Sequence, residues 1–245
     1  MKTRLKILGV IPARFESQRL PGKVLRSIGD KAMLHWVYER ARESPLLSKL
    51  FVATDSEKVR QYCATHGIPV IMTAQHSSGS DRLHEVMERT DGDIYVNLQG
   101  DEPTLRAEHI ELLLRPVLAR EAEVTTLKVA IDFAEAQDSN CVKVVTGNKG
   151  RALYFSRQPI PFNRDASGGI KFYKHIGLYG YTRGALALFH NLPQSSLELT
   201  EKLEQLRLLE NGIDILVCET PFDTIGVDTE ADLNKAAEFL LRNGS

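Results

Sequence analysis

Ile11-Pro12-Ala13-Arg14-Phe15-Glu16-Ser17-Gln18-Arg19-Leu20-Pro21-Gly22-Lys23 follows directly on the apolar run from Leu5 to Val10, and the two together decide the fold. The run reads as a strand buried on both faces. Pro12 cannot continue a central ladder, so the strand is expected to end there. Open α/β sheets hold ligands in loops that leave the carboxyl ends of their strands. Arg14, Arg19 and Lys23 put three cations in such a loop. Guanidinium and ammonium groups offset phosphate charge and donate hydrogen bonds to it, so a polyphosphate site is one reading. A solvated surface loop is the other. Pro21 and Gly22 bend the segment and let main chain approach a ligand. Val24 follows Lys23 where a P-loop has Ser or Thr, and no G-x-G-x-x-G occurs, so side-chain cations rather than a glycine nest would hold the phosphate.

Outward from this stretch, strands and helices alternate. Met33 to Arg42 has helical spacing, with Leu34, Val37, Tyr38 and Ala41 on one face. Leu50 to Thr54 reads as a second buried strand, and a helix from Asp55 or Ser56 to about His66 stops at Gly67. Val70 to Met72 and Ile94 to Leu98 are further strands, with Ser78 or Ser80 capping the helix between them. This alternation predicts a parallel sheet with right-handed crossovers. Glu108 to Arg120 reads as an amphipathic helix. Beyond it the pattern changes: strands at Val124 to Val129 and Cys141 to Val145, a turn at Asn148-Lys149-Gly150, then strands at Ala152 to Ser156 and Lys171 to Tyr181. Asp165 to Gly169 has the composition of a mobile loop. Leu197 to Asn211 reads as one helix ended by Gly212, Ile213 to Cys218 as a late strand and Glu230 to Leu241 as the last helix. The class is α/β.

The 245 residues suit one large domain, expected to span 1–245. Residues 1–123 and 213–245 would carry the main sheet, and 124–212 a smaller mixed region. A net charge of −1 gives no global attraction to nucleic acid or to an anionic membrane, so a polyanion site must be built locally. Cys63, Cys141 and Cys218 lack metal-ligand spacing and read as reduced core residues. Lys2, Arg4 and Lys6 precede an apolar run too short for a signal sequence, and no segment reaches membrane-spanning length, so the chain is expected in the cytoplasm.

Asp101, in Gln99-Gly100-Asp101-Glu102-Pro103, stands just past a strand and is either a Mg²⁺ ligand or part of a turn. Asp228, in Gly226-Val227-Asp228-Thr229, follows a turn and on its residues alone reads as a cap of the last helix.

Pro12-Ala13-Arg14, Ser17 and Arg19-Leu20-Pro21-Gly22-Lys23 resemble the opening signature of the sugar-acid cytidylyltransferases, most closely those acting on 3-deoxy-octulosonic acids. The resemblance continues through Val52-Ala53-Thr54-Asp55, Met72-Thr73, Ser78-Gly79-Ser80-Asp81-Arg82, Asn97 to Pro103, Ala152 to Arg157, His175 to Tyr181, Leu203 to Arg207 and Gly226 to Thr229. It implies a single open, mostly parallel, Rossmann-like nucleotide-binding sheet of the nucleotidyltransferase type, flanked by helices, with a smaller sugar and dimer region. It implies transfer of CMP from CTP to a 3-deoxy-octulosonic acid, used in lipopolysaccharide synthesis, with Mg²⁺ on Asp101 and Asp228. Arg14, Ser17, Arg19, Lys23, Ser78, Gly79, Ser80, Arg82 and Asp101 would bind nucleotide. Gln99, Arg157, His175, Tyr179, Glu204 and Gln205 would line the sugar pocket. Arg14, Arg19, Lys23, Asp101 and Asp228 would carry catalysis, and a homodimer is expected. Taken alone, His175 reads as a hydrogen-bonded structural residue and Glu204 and Gln205 as solvent-facing. Ser80 replaces the usual Thr, and Phe15, Glu16, Gln18 and Val24 depart from the commonest loop. Another sugar acid, such as an 8-amino-octulosonate or a sialic acid, and a non-catalytic nucleotide-sugar sensor are the alternatives.

Overall fold

The computed structural model describes residues 5–16, 19–165 and 168–243. Ser17, and the Ala166-Ser167 part of the loop expected to be mobile, lie outside the described residues. In chain order the elements are β1 (Ile7–Pro12), a 3-10 turn (Lys23–Leu25), β2 (Ser27–Ile28), β3 (Lys31–Ala32), α1 (Met33–Arg42), β4 (Lys49–Thr54), α2 (Glu57–Thr65), β5 (Val70–Met72), α3 (Gly79–Glu88), β6 (Ile94–Asn97) and α4 (Ala107–Leu118). There follow β7 (Val124–Ile131), α5 (Phe133–Ala136), β8 (Lys143–Thr146), β9 (Ala152–Ser156), β10 (Phe172–Thr182), α6 (Arg183–Asn191), α7 (Ser196–Glu201), α8 (Leu206–Glu210), β11 (Leu216–Glu219) and α9 (Glu230–Asn243). They form two compact units: the described residues up to Glu111 with those from Thr224 onward, and Leu112–Asp223.

In the first unit β1 pairs parallel with β4 on one side and β6 on the other, and β4 pairs parallel with β5. Val10, Ile11, Val52, Tyr95 and Val96 are fully buried in this sheet, as strands covered on both faces require. Strand β1 ends at Pro12, as expected. Pairing with β6 ends at Val10–Asn97, while pairing with β4 continues to Pro12–Ala53, so the missing N–H of Pro12 removes no ladder bond. The α1 face Leu34, Val37, Tyr38 and Ala41 is buried. Of the two candidate caps for α3, Ser78 is the one: its hydroxyl accepts from Asp81 N at 3.0 Å, and Gly79 and Ser80 are already helical.

Helix α9 returns the chain to this unit. Leu233, Ala236 and Leu240 pack with Leu20, Ile28, Met33 and Val227, so the last helix is fastened to the opening loop. Thr229 and Asp232 cap it reciprocally: Asp232 N donates to Thr229 Oγ1 at 3.2 Å, and Thr229 N donates to the Asp232 carboxylate at 3.0 Å. The Asp228 side chain is therefore not the cap.

In the second unit β7 pairs antiparallel with β10 and parallel with β11, and β8–β9 is an antiparallel hairpin. Its turn places Gly150 at φ 73°, a conformation that favours glycine. Because β11 pairs with β7, residues 213–223 belong here rather than with the first unit. The single helix expected over Leu197 to Asn211 is two, broken at Lys202, whose φ is 56°. Arg207 holds the pieces together, donating to Glu198 Oε2 at 2.7 Å and Oε1 at 2.5 Å in a buried two-bonded pair. Cys63 is buried, Cys141 and Cys218 are half-buried, and all three are free thiols. Burial pushes the first two thiols up to about 11.

Candidate nucleotide and metal site

The first unit carries a cavity of about 1270 Å³ at the carboxyl ends of β1, β4 and β6. Arg14, Arg19, Lys23, Ser78, Gly79, Arg82, Gln99, Asp101 and Asp228 line it. Ser80, expected at the nucleotide, does not line it, because the first turn of α3 has already begun at Gly79.

Its floor is a four-residue knot. Lys23 Nζ donates to Asp101 Oδ2 at 2.6 Å, to Asp228 Oδ1 at 2.9 Å and to Val227 O at 3.2 Å. Arg19 Nη2 lies 2.8 Å from Asp228 Oδ2. Residues separated by more than two hundred positions meet here because Val227 N donates to Asp101 O at 2.9 Å, joining the α9 entry to the end of β6. Gly100 lets the chain leaving β6 lie against the end of β1: a Cβ there would stand 2.8 Å from Pro12 O. Burial works against the Lys23 charge, but Asp101 and Asp228 outweigh it and hold its pKa above the ordinary lysine value.

The two carboxylates thus converge on one cationic point. They are hard oxygen donors, and no cluster of three or more His, Cys, Asp or Glu ligands exists among the described residues. That donor set fits Mg²⁺, which takes one or two carboxylates and leaves the rest of its shell to phosphate and water.

The upper wall brings Arg82, expected at the nucleotide, together with Asp55, Lys58, Gln75 and His76, to which no role had been given. Arg82 is 1% exposed; its guanidinium bonds Thr73 Oγ1 and lies 3.2 Å from Asp55 Oδ1. Burial lowers its pKa, and Asp55 opposes that. Lys58 Nζ sits 4.5 Å over the Phe15 ring. Asp55, Lys58, Gln75 and His76 all line the cavity. Asp55 carried two sequence signals, its place just past a strand, which also marked Asp101, and its membership of the Val52-Ala53-Thr54-Asp55 stretch of the resemblance.

The remaining expected sugar residues lie in the second unit. Thr126 Oγ1 lies 2.8 Å from Leu178 O, to which it donates, and 2.9 Å from His175 Nε2. Phe155 packs edge-on to His175 at 4.9 Å, and Tyr179 lies 5.5 Å away. Burial drives the His175 pKa to about 3, so the ring is neutral at physiological pH, and burial raises that of Tyr179 well above 10. Arg157 donates from Nε to Glu201 O at 2.8 Å and from Nη1 to Ser139 O at 3.0 Å. Gln205 opens α8 and is buried, unlike the solvent-facing reading, because the helix break turns it inward; Glu204 precedes it.

Residues 8–215 match the family model described as cytidylyltransferase. The chain is 52% identical, over 97% of its length and 97% of the relative's, to the 3-deoxy-manno-octulosonate cytidylyltransferase of Acidobacterium capsulatum. It is 49% identical, over 96% and 90%, to the enzyme of the same name from Koribacter versatilis. A solved structure of CMP:2-keto-3-deoxy-manno-octonic acid synthetase complexed with CTP superposes with a TM-score of 0.92 at 44% identity, covering 97% of this chain and 99% of that one.

Proposed function

The chain belongs to the cytidylyltransferase family, and from that premise we propose that it converts CTP and 3-deoxy-manno-octulosonate to the CMP-sugar and pyrophosphate. The relatives' shared name and full-length coverage support this sugar over an amino or sialic analogue. The sharing of one Lys23 ammonium by Asp101 and Asp228, with Arg19 beside it, carries the reading.

The anomeric oxygen of the sugar acid attacks the α-phosphorus, the bond from that phosphorus to the bridging oxygen of the β-phosphate breaks, and pyrophosphate leaves. The hydroxyl proton passes to solvent. Arg14, Arg19 and Lys23 bind the triphosphate and offset charge growing on the leaving pyrophosphate. Asp101 and Asp228 would hold Mg²⁺, which supplies Lewis-acid polarisation of phosphate and lowers the pKa of a coordinated hydroxyl. Lys23 bonds one oxygen of each carboxylate, Asp101 Oδ2 and Asp228 Oδ1, and so holds the two acids that would bind the metal beside each other. Asp55 and Arg82 form the wall available to the base, while Arg157, His175, Tyr179, Glu204 and Gln205 are assigned to the sugar acid. The neutral His175 hydrogen-bonds and does not act as a charge. The proposal includes a cytoplasmic homodimer; sedimentation of the purified protein checks the dimer. Among the described residues no helix is long and apolar enough to cross a membrane.

Each nucleoside triphosphate tested against several sugar acids, with product mass as readout, decides the function. Pyrophosphate release that needs CTP, the octulosonic acid and Mg²⁺ together is expected; binding without turnover would leave a sensor.

A further inference from the structure

Lys143, the first residue of β8, is fully buried, and its three donors all go to main-chain carbonyls: Asp138 O at 2.8 Å, Cys141 O at 2.5 Å and Arg157 O at 2.7 Å. None is left for a carboxylate. Burial pushes its pKa below the ordinary lysine value, so the fold keeps a costly charge where methionine would fill similar volume. What that charge fixes is the main chain on both sides of one side chain. The Arg157 carbonyl is held by Lys143. The Arg157 N–H donates to Glu201 Oε2 at 3.0 Å, and the other Glu201 oxygen accepts from Ser156 Oγ at 2.7 Å. The guanidinium is then aimed by Glu201 O and by Ser139 O, the latter in the same 138–141 turn that Lys143 grips.

We propose that Lys143 and Glu201 are positioning residues of the sugar-acid site, acting through Arg157 by fixing its peptide groups from two sides. This rests on the assignment of Arg157 to the sugar carboxylate. Glu201 closes α7 immediately before the break at Lys202, so one carboxylate ties the end of β9 to the bend that precedes Glu204 and Gln205. Displacing a carboxylate-binding guanidinium by about an ångström is enough to weaken a substrate complex severely.

The test compares Lys143→Met, Arg157→Ala and the double variant by steady-state kinetics, with CTP binding followed by calorimetry. Lys143→Met should raise KM for the sugar acid roughly 10- to 100-fold. The dissociation constant of CTP should stay within about twofold, since Lys143 touches no residue of the cation and carboxylate knot. The double variant should be no worse than Arg157→Ala alone, because both changes remove one function. Additive losses, or equal damage to both substrates, would overturn the proposal. Should Lys143→Met fail to fold, Glu201→Gln replaces it; that variant should show the same selective rise in sugar KM, and an unchanged KM overturns the proposal. Wild-type pyrophosphate release tests the proposed function separately. If the wild type turns over and Arg157→Ala binds sugar normally, only the positioning assignment falls.

Discussion

Lys23 sets the chemistry of the site at the residue scale. One ammonium, 15% exposed at its side chain, is shared by two carboxylates far apart in the sequence, Asp101 and Asp228. Removing either acid leaves Lys23 paired with the other, so Asp101→Asn and Asp228→Asn should fold with melting temperatures close to wild type. Each should lower turnover by roughly 10²- to 10³-fold, because charge at the reacting phosphate loses its preorganised partner. Near-normal turnover in either variant refutes the metal assignment. Arg19 is a different case: more than half its side chain is exposed, and its ion pair with Asp228 adds little to stability. Arg19→Ala should therefore leave the urea midpoint unchanged while weakening CTP binding by about tenfold, with sugar KM nearly constant. Calorimetry separates these outcomes. The cations and Asp101 were legible in the sequence because they stand in the opening loop or just past a strand, and Asp228 because it sits in the Gly226-Val227-Asp228-Thr229 stretch of the resemblance. Asp55, Arg82 and Lys58 were not read as one wall, because their meeting depends on how α2 and α3 start and on Arg82 being buried, and no local pattern encodes either.

At the scale of elements, legibility followed the local signals. Helix α1 matches its expected bounds because apolar spacing fixed its face, and α2 stops where Gly67 takes φ 65°. The single helix expected between 197 and 211 failed for a physical reason. Nothing local marks Lys202 as left-handed, since neither glycine nor asparagine stands there; the buried Arg207–Glu198 pair holds the break from outside the local window. Lys202 is therefore strained. Lys202→Gly should relieve the left-handed penalty against a more flexible unfolded chain, for a net gain of roughly 0.5 kcal/mol. A higher urea midpoint with unchanged m-value is the expected observation; a lower one would mean the lysine side chain contributes more than its backbone loses. The same break turns Gln205 inward, so a pair of polar residues that looks solvent-facing on a continuous helix becomes available to a site.

For the molecule as a whole, stability should carry the signature of one ring. His175 has a folded-state pKa of about 3 against 6.5 for an unburied imidazole. As pH falls below about 6.5 the unfolded chain takes up a proton that the folded chain refuses, so the unfolded state gains. The stabilisation is complete above the unfolded value and is lost progressively as pH drops toward the folded one. Between pH 7 and pH 5 this group alone should remove up to about 2 kcal/mol. His175→Gln keeps a hydrogen-bonding group for Thr126 Oγ1 but cannot titrate, so its unfolding free energy should fall less over the same interval, by about that amount. Urea titrations at the two pH values measure the difference between variant and wild type, in which carboxylate effects common to both cancel. Equal losses in the two proteins would place the acid sensitivity elsewhere and would mean that the His175 ring gains a proton in the folded state well above pH 3. In that event the imidazole could hold charge beside a bound sugar carboxylate, and the neutral role assigned to it would have to be abandoned.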